Sequence, residues 1–195
     1  MAQEFEIKRK YFEVIETLGP RSYKVERKGK IYFLKDFGND DKGFWDYVES
    51  EGNLDTTGIS HPSIYTYDKR TRIVATEFVE GTSIMDLLIQ KDLENDVIDS
   101  VFKANWFSRQ SRINLDYSPN VWKLCNGKLF YIGLSTGKFD DKNTFEKHGI
   151  RLWFYTRDFV SFLSKQGIRG DLSRIGENET GVNKRIALAV IEFFR

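Results

Sequence analysis

Ile73-Val74-Ala75-Thr76-Glu77-Phe78-Val79-Glu80-Gly81-Thr82-Ser83-Ile84 carries a strand through a turn into a short helix, ahead of the change from sheet to helix after Gln90. Arg72 to Phe78 is rich in β-branched and aromatic residues and predicts a strand. Gly81-Thr82-Ser83 ends it and opens a short helix containing Ile84, Leu87 and Leu88. Upstream, Tyr11 to Leu18, Ser22 to Arg27 and Lys30 to Phe37 predict a three-stranded antiparallel meander, turned at Gly19-Pro20 and Lys28-Gly29. Ser63 to Tyr67 adds a short strand. Between meander and strand, Phe44, Trp45, Val48 and Leu54 alternate by threes and fours with Asp46, Glu49 and Glu51 among them, which predicts a helix. The first eighty residues thus read as five strands and one helix.

Downstream, helix prevails. Asp96 is placed to cap a helix with Val97, Ile98, Val101, Phe102 and Trp106 on one stripe. Val121 to Ile132 is the exception, because Asn126-Gly127 between two apolar runs is a hairpin turn in which both positions need positive φ. Gly149 to Gln166 carries Ile150, Trp153, Phe154, Phe159, Val160, Phe162 and Leu163 on a broad apolar face and ends at Gly167. A last helix is expected from Asn183 to Phe194, after a loop over Gly170 to Gly181.

Thirty basic and 29 acidic residues leave a net charge of +1, which supplies no overall field for nucleic acid or an anionic membrane. The single cysteine, Cys125, excludes an internal disulfide, and His61 and His148 are too far apart in sequence to suggest a structural metal. The first residues lack a basic start followed by an apolar run, and nothing approaches the roughly 18 apolar residues of a membrane span, so a cytoplasmic protein is expected.

Five strands with a helix after the third, then a linker, then helices broken by one hairpin resemble the protein-kinase fold. The quoted stretch looks like the fifth strand, hinge and following helix of the small KEOPS-type and aminoglycoside-phosphotransferase-like kinases. The resemblance implies an α+β, bilobal fold: an N-lobe over residues 1–80, with a five-stranded antiparallel sheet and one helix, and a reduced, mainly helical C-lobe over 81–195 with one β-hairpin. It also implies nucleotide-binding residues. Tyr32-Phe33-Leu34-Lys35 stands where the Val-Ala-Ile-Lys motif places its phosphate-binding lysine, Lys35. Glu51, with Glu49 as runner-up, would pair with that lysine. The choice rests on the His61-Pro62-Ser63-Ile64 segment that follows. Thr76 would be the gatekeeper, and Glu77 and Val79 would pair with adenine. Taken alone, a lysine in a strand bordered by Phe33 and Phe37 is most often a solvated edge residue.

The resemblance fails at the chemistry. Gly19-Pro20-Arg21-Ser22-Tyr23-Lys24-Val25 keeps one glycine of the phosphate-covering loop and replaces an amide donor with proline. In Ile113-Asn114-Leu115-Asp116-Tyr117-Ser118-Pro119-Asn120, Asp116 matches the catalytic base, but Val121 then falls at the magnesium position and Asn120 is one residue short. Gly133 stands where the metal-binding aspartate belongs, and Asp140 or Asp141 would have to replace it.

These features point to a pseudokinase: a binding or regulatory module with a protein partner, weak affinity for ATP and no secure magnesium site. The rival is an atypical ATP-dependent phosphotransferase using Asp116 as base and Asn120 as metal ligand. An unrelated α+β protein with coincidental matches is the third reading.

Overall fold

The computed structural model describes residues 3–90, 93–140, 142 and 144–175. The first half is built on antiparallel strands: β1 (Glu4–Ile7), β2 (Lys10–Gly19), β3 (Ser22–Arg27) and β4 (Lys30–Asp36) form a continuous meander. Two of its turns place both central residues at positive φ, Lys8 and Arg9 at 49° and 64° and Lys28 and Gly29 at 52° and 74°. That backbone matches the right-handed twist of the flanking strands. β1 was not expected from its polar, acidic composition. Its inward Ile7 is fully buried and Phe5 packs on the Tyr23 ring at 4.8 Å, so alternation over four residues suffices to make a strand.

Helix α1 (Asp41–Asp55) follows, with the Asp40 carboxylate accepting the Gly43 amide at 2.8 Å as its N-cap. Strands β5 (Ile64–Asp68) and β6 (Ile73–Glu77) complete a sheet of six strands in the order β1-β2-β3-β4-β6-β5. The two edges curl towards each other. Tyr65 of β5 lies 4.7 Å from the Tyr32 ring and 6.3 Å from Phe12, and the Lys10 ammonium sits 4.3 Å above the Tyr65 ring. One face, with Phe12, Val25, Tyr32, Leu34, Ile73 and Ala75, closes on itself as a small core. The other face, with Phe33, Lys35, Val74 and Thr76, looks towards α1. Residues Ile73, Val74, Ala75 and Thr76 are therefore all buried, which explains why β6 reads as an unbroken apolar run.

Beyond the linker come β7 (Thr82–Ser83), α2 (Ile84–Gln90) and α3 (Asn95–Gln110). β9 (Trp122–Cys125) and β10 (Lys128–Tyr131) form the expected hairpin, with Asn126 and Gly127 at φ 49° and 74°, and β7 joins its edge. β8 (Ile113–Leu115) and β11 (Thr136–Lys138) make a separate antiparallel pair. Asp96 does not cap α3. That position falls to Glu94, and the Asp96 carboxylate accepts the adjacent Val97 amide instead.

The helix expected over Gly149 to Gln166 is broken. A π-turn at Phe145–Gly149 and a 3-10 turn at Ile150–Trp153 precede α4 (Arg157–Lys165), because the Thr156 hydroxyl accepts the Phe159 amide and starts a new helix there. Gly167, at φ 75°, ends α4 as expected, with the Ile168 amide donating back to Leu163 O at 2.9 Å. The helix expected at Asn183 to Phe194 lies outside the described residues.

The protein is thus a mixed α+β structure built on a curled antiparallel sheet. Among the described residues most buried apolar side chains fall into two clusters, which do not divide at residue 80: Leu54 and Ile59 pack with the helical half. No helix among the described residues is long and apolar enough to cross a membrane.

Candidate functional site

A cavity of about 280 Å³ opens between the sheet and the β9–β10 hairpin. Thr76, Glu77 and Val79, singled out from the sequence, all line it. β6 delivers Thr76 and Glu77, and the extended linker to β7 carries Phe78 and Val79. Leu18, at the end of β2, Phe33 on β4 and Ile132 after β10 supply apolar walls. Thr76 is wholly buried beside the phenol of Tyr47 on α1, and its hydroxyl donates to Glu77 O at 3.3 Å. Burial, and secondarily the Glu51 carboxylate, push that phenol well above its ordinary pKa, against the pull of the neighbouring Thr76 hydroxyl, so Tyr47 stays neutral. The Glu77 side chain points away, its carboxylate accepting the Ser63 amide at 3.2 Å.

The linker is held against the hairpin by close backbone packing at Gly81. A β-carbon there would meet Leu124 O at 2.5 Å and Leu124 C at 3.0 Å. Gly81→Ala is therefore expected to pry β7 from β9 and to cost about 1–3 kcal/mol. A urea midpoint unchanged from that of the parent protein would show that the backbone relaxes freely.

Lys35 stands in β4, between β3 and β6, so it is an interior strand residue and not a solvated edge residue. Its ammonium donates to Ser22 Oγ at 3.0 Å and to Pro20 O at 3.3 Å, both in the β2–β3 turn. Glu51 lies elsewhere: its carboxylate accepts the Ile64 amide at the start of β5. The expected Lys35–Glu51 pair is therefore not formed. The short turn explains this, because Pro20-Arg21 reverses the chain in two residues and leaves its carbonyl and Ser22 hydroxyl over the lysine. Arg21, at φ 55°, is held outward by the Asp36 carboxylate at 2.7 Å.

Asp116 lies in a second cavity of about 410 Å³, which includes Asn114, Ser118, Ser135 and His148. The carboxylate is exposed and accepts the Ser118 amide at 2.8 Å. The backbone around it is pinned from behind. Trp122 Nε1 donates to Asp116 O at 2.9 Å, Trp153 Nε1 to Tyr117 O at 2.7 Å, and the Asp116 amide to the Tyr131 hydroxyl at 3.2 Å. Asn120 is exposed in the 3-10 turn Pro119–Val121 and lines neither cavity.

At Gly133 a β-carbon would meet Tyr131 Oη and Val121 Cβ, each at 3.1 Å. The Tyr131 phenol, buried and pushed well above its ordinary pKa by that burial, fills the space and donates to Ser135 O at 2.6 Å. Asp140 accepts the Lys142 amide in its own exposed turn, and Asp141 lies outside the described residues. Among the described residues no three His, Cys, Asp or Glu side chains converge as a metal site would need.

Sequence reasoning passed over Lys123. On β9 it alternates with the fully buried Trp122, so its side chain emerges on the cavity side, where it donates to Val79 O at 3.0 Å. That alternation was the available signal. Ser50, also passed over, is buried on α1 and accepts both the amide and the hydroxyl of Thr136, tying α1 to β11. No protein-family model matches the chain, and no curated protein matches it in sequence.

Proposed function

We propose that this is a kinase-fold pseudokinase: a binding or regulatory module that uses the cleft beside Thr76, Glu77 and Val79 and does not transfer phosphate. Support for the fold comes from the strand order, in which β2-β3-β4-β6-β5 follows the order of a kinase N-lobe, with α1 between β4 and β5 along the chain. Further support comes from the hairpin β9–β10 and the β8–β11 pair flanking Asp116 and Gly133. The adenine half of a nucleotide suits the cleft, since about 280 Å³ walled by apolar side chains is close to the lower bound for small-molecule sites.

The triphosphate and its magnesium do not suit the residues present. A glycine crowded by Tyr131 and Val121 supplies no carboxylate, and Val121 itself offers no ligand atom. The observation that carries the reading is the Lys35 ammonium turned to Ser22 and Pro20 with two of its three donors, because a phosphate-binding lysine needs its donors facing the cleft. Any nucleotide affinity left is weak, and a protein partner is the proposed recipient of the signal.

Titration with ATP is expected to raise the melting temperature no further with magnesium than without it. No γ-phosphate should pass to water or protein. Gly133→Asp should not create magnesium dependence, because the Tyr131 hydroxyl holds the position. Tight magnesium-dependent ATP binding lost in Lys35→Ala would overturn the reading. It would favour the phosphotransferase alternative, for which the exposure of Asp116 at the 410 Å³ cavity speaks.

A further inference from the structure

The cleft proposed as a binding site contains a cation where its apolar walls meet. Lys123 reaches it from β9, half-buried, with one of its three N–H donors on Val79 O at 3.0 Å. Its ammonium is 5.0 Å from the Phe78 ring centroid, and that of Lys24, from β3, is 4.9 Å from the same ring. Among the described residues no carboxylate forms an ion pair with Lys123. Burial, and next the nearby Lys24, push its pKa down, so the site disfavours the charge it holds. Asp86 and Glu80 act in the opposite direction without meeting it.

We infer that the cleft takes a small, flat aromatic molecule bearing one negative charge, its ring between Leu18, Phe33 and Ile132 and its anionic group on Lys123. A planar ring matches the walls, and an anion relieves both the burial of Lys123 and its repulsion from Lys24. Nothing in this arrangement needs a metal or a triphosphate. The inference rests on the cleft being a ligand site, and it goes further by naming the charge and shape of what enters.

The probes are 1-naphthoate and its neutral isostere 1-naphthamide, titrated calorimetrically into the full chain. Naphthoate is expected to bind about tenfold or more tighter than naphthamide, the range of a charge-assisted hydrogen bond. Lys123→Met should remove that difference and leave naphthamide unchanged. Equal affinities for the two probes in the parent protein would overturn the inference while leaving the cleft as a site, and this comparison needs no variant to fold. Binding of neither probe, with no shift by any adenine nucleotide, would overturn the inference and the cleft reading together. Naphthoate binding that survives in Lys123→Met would likewise overturn the assignment of its anionic group.

Discussion

Trp122→Ala is expected to lower the melting temperature by roughly 8–16 °C, converting a loss of about 4 kcal/mol with the usual scaling for a chain of this size. Trp122 is wholly buried at the centre of an aromatic cluster, stacked on Tyr117 at 6.3 Å and packed on Tyr131 at 4.8 Å and Trp153 at 5.7 Å. Alanine leaves a void that these rings cannot all close, since each is fixed by a second partner. Tyr131 is tied to Ser135 O, Trp153 to Tyr117 O, and Tyr117 to Asn105. The indole also supplies the hydrogen bond that holds Asp116 O. Trp122→Phe keeps most of the ring and loses that bond, so it should cost about 1 kcal/mol plus a small packing term. Thermal denaturation followed by circular dichroism reads both, and a Trp122→Ala shift under about 3 °C would show that the cluster repacks.

Asn105→Leu should destabilise by about 3 kcal/mol, although leucine is apolar and the site is interior. The Asn105 side chain is a hub on α3. Its oxygen accepts the Tyr117 hydroxyl at 2.8 Å and lies 3.4 Å from the Phe145 amide, and its nitrogen donates to Glu146 at 2.7 Å. Leucine deprives three polar groups at once, and among the described residues two of them keep a second contact: Tyr117 keeps Ser108 at 3.1 Å and Glu146 keeps Arg109 at 3.2 Å. The Phe145 amide begins the π-turn, so that turn should loosen first. Asn105→Asp adds a second carboxylate beside Glu146 and should cost at least as much at neutral pH. Urea midpoints for both variants test this, and a leucine variant as stable as the parent would contradict the role assigned to the network.

Much of the architecture was legible in local patterns. The hairpin β9–β10 follows from Asn126-Gly127 alone, because few other pairs accept two left-handed residues in succession. α1 followed from periodicity, β6 from its β-branched and aromatic content, and Gly167 ended α4 as its freedom at positive φ predicts. Legibility failed where neighbours outvote local preference. β1 exists because β2 and Tyr23 lie beside it, and the apolar run after Gly149 breaks because Thr156 finds the Phe159 amide.

The candidate site divides the same way. Thr76, Glu77 and Val79 were singled out by the resemblance of their stretch to a kinase hinge, and all three line the cleft. Likewise, the absence of carboxylate from Gly133 and of amide nitrogen donation from Pro20 belongs to residue identity and needs no coordinates. Where charged head groups go is different, because a long side chain reaches any of several partners within its length and the nearest acceptor is chosen by chain segments remote in sequence. Only the tertiary structure sends Lys35 to the β2–β3 turn, Glu51 to the Ile64 amide, and Lys123 to Val79 O in the cleft.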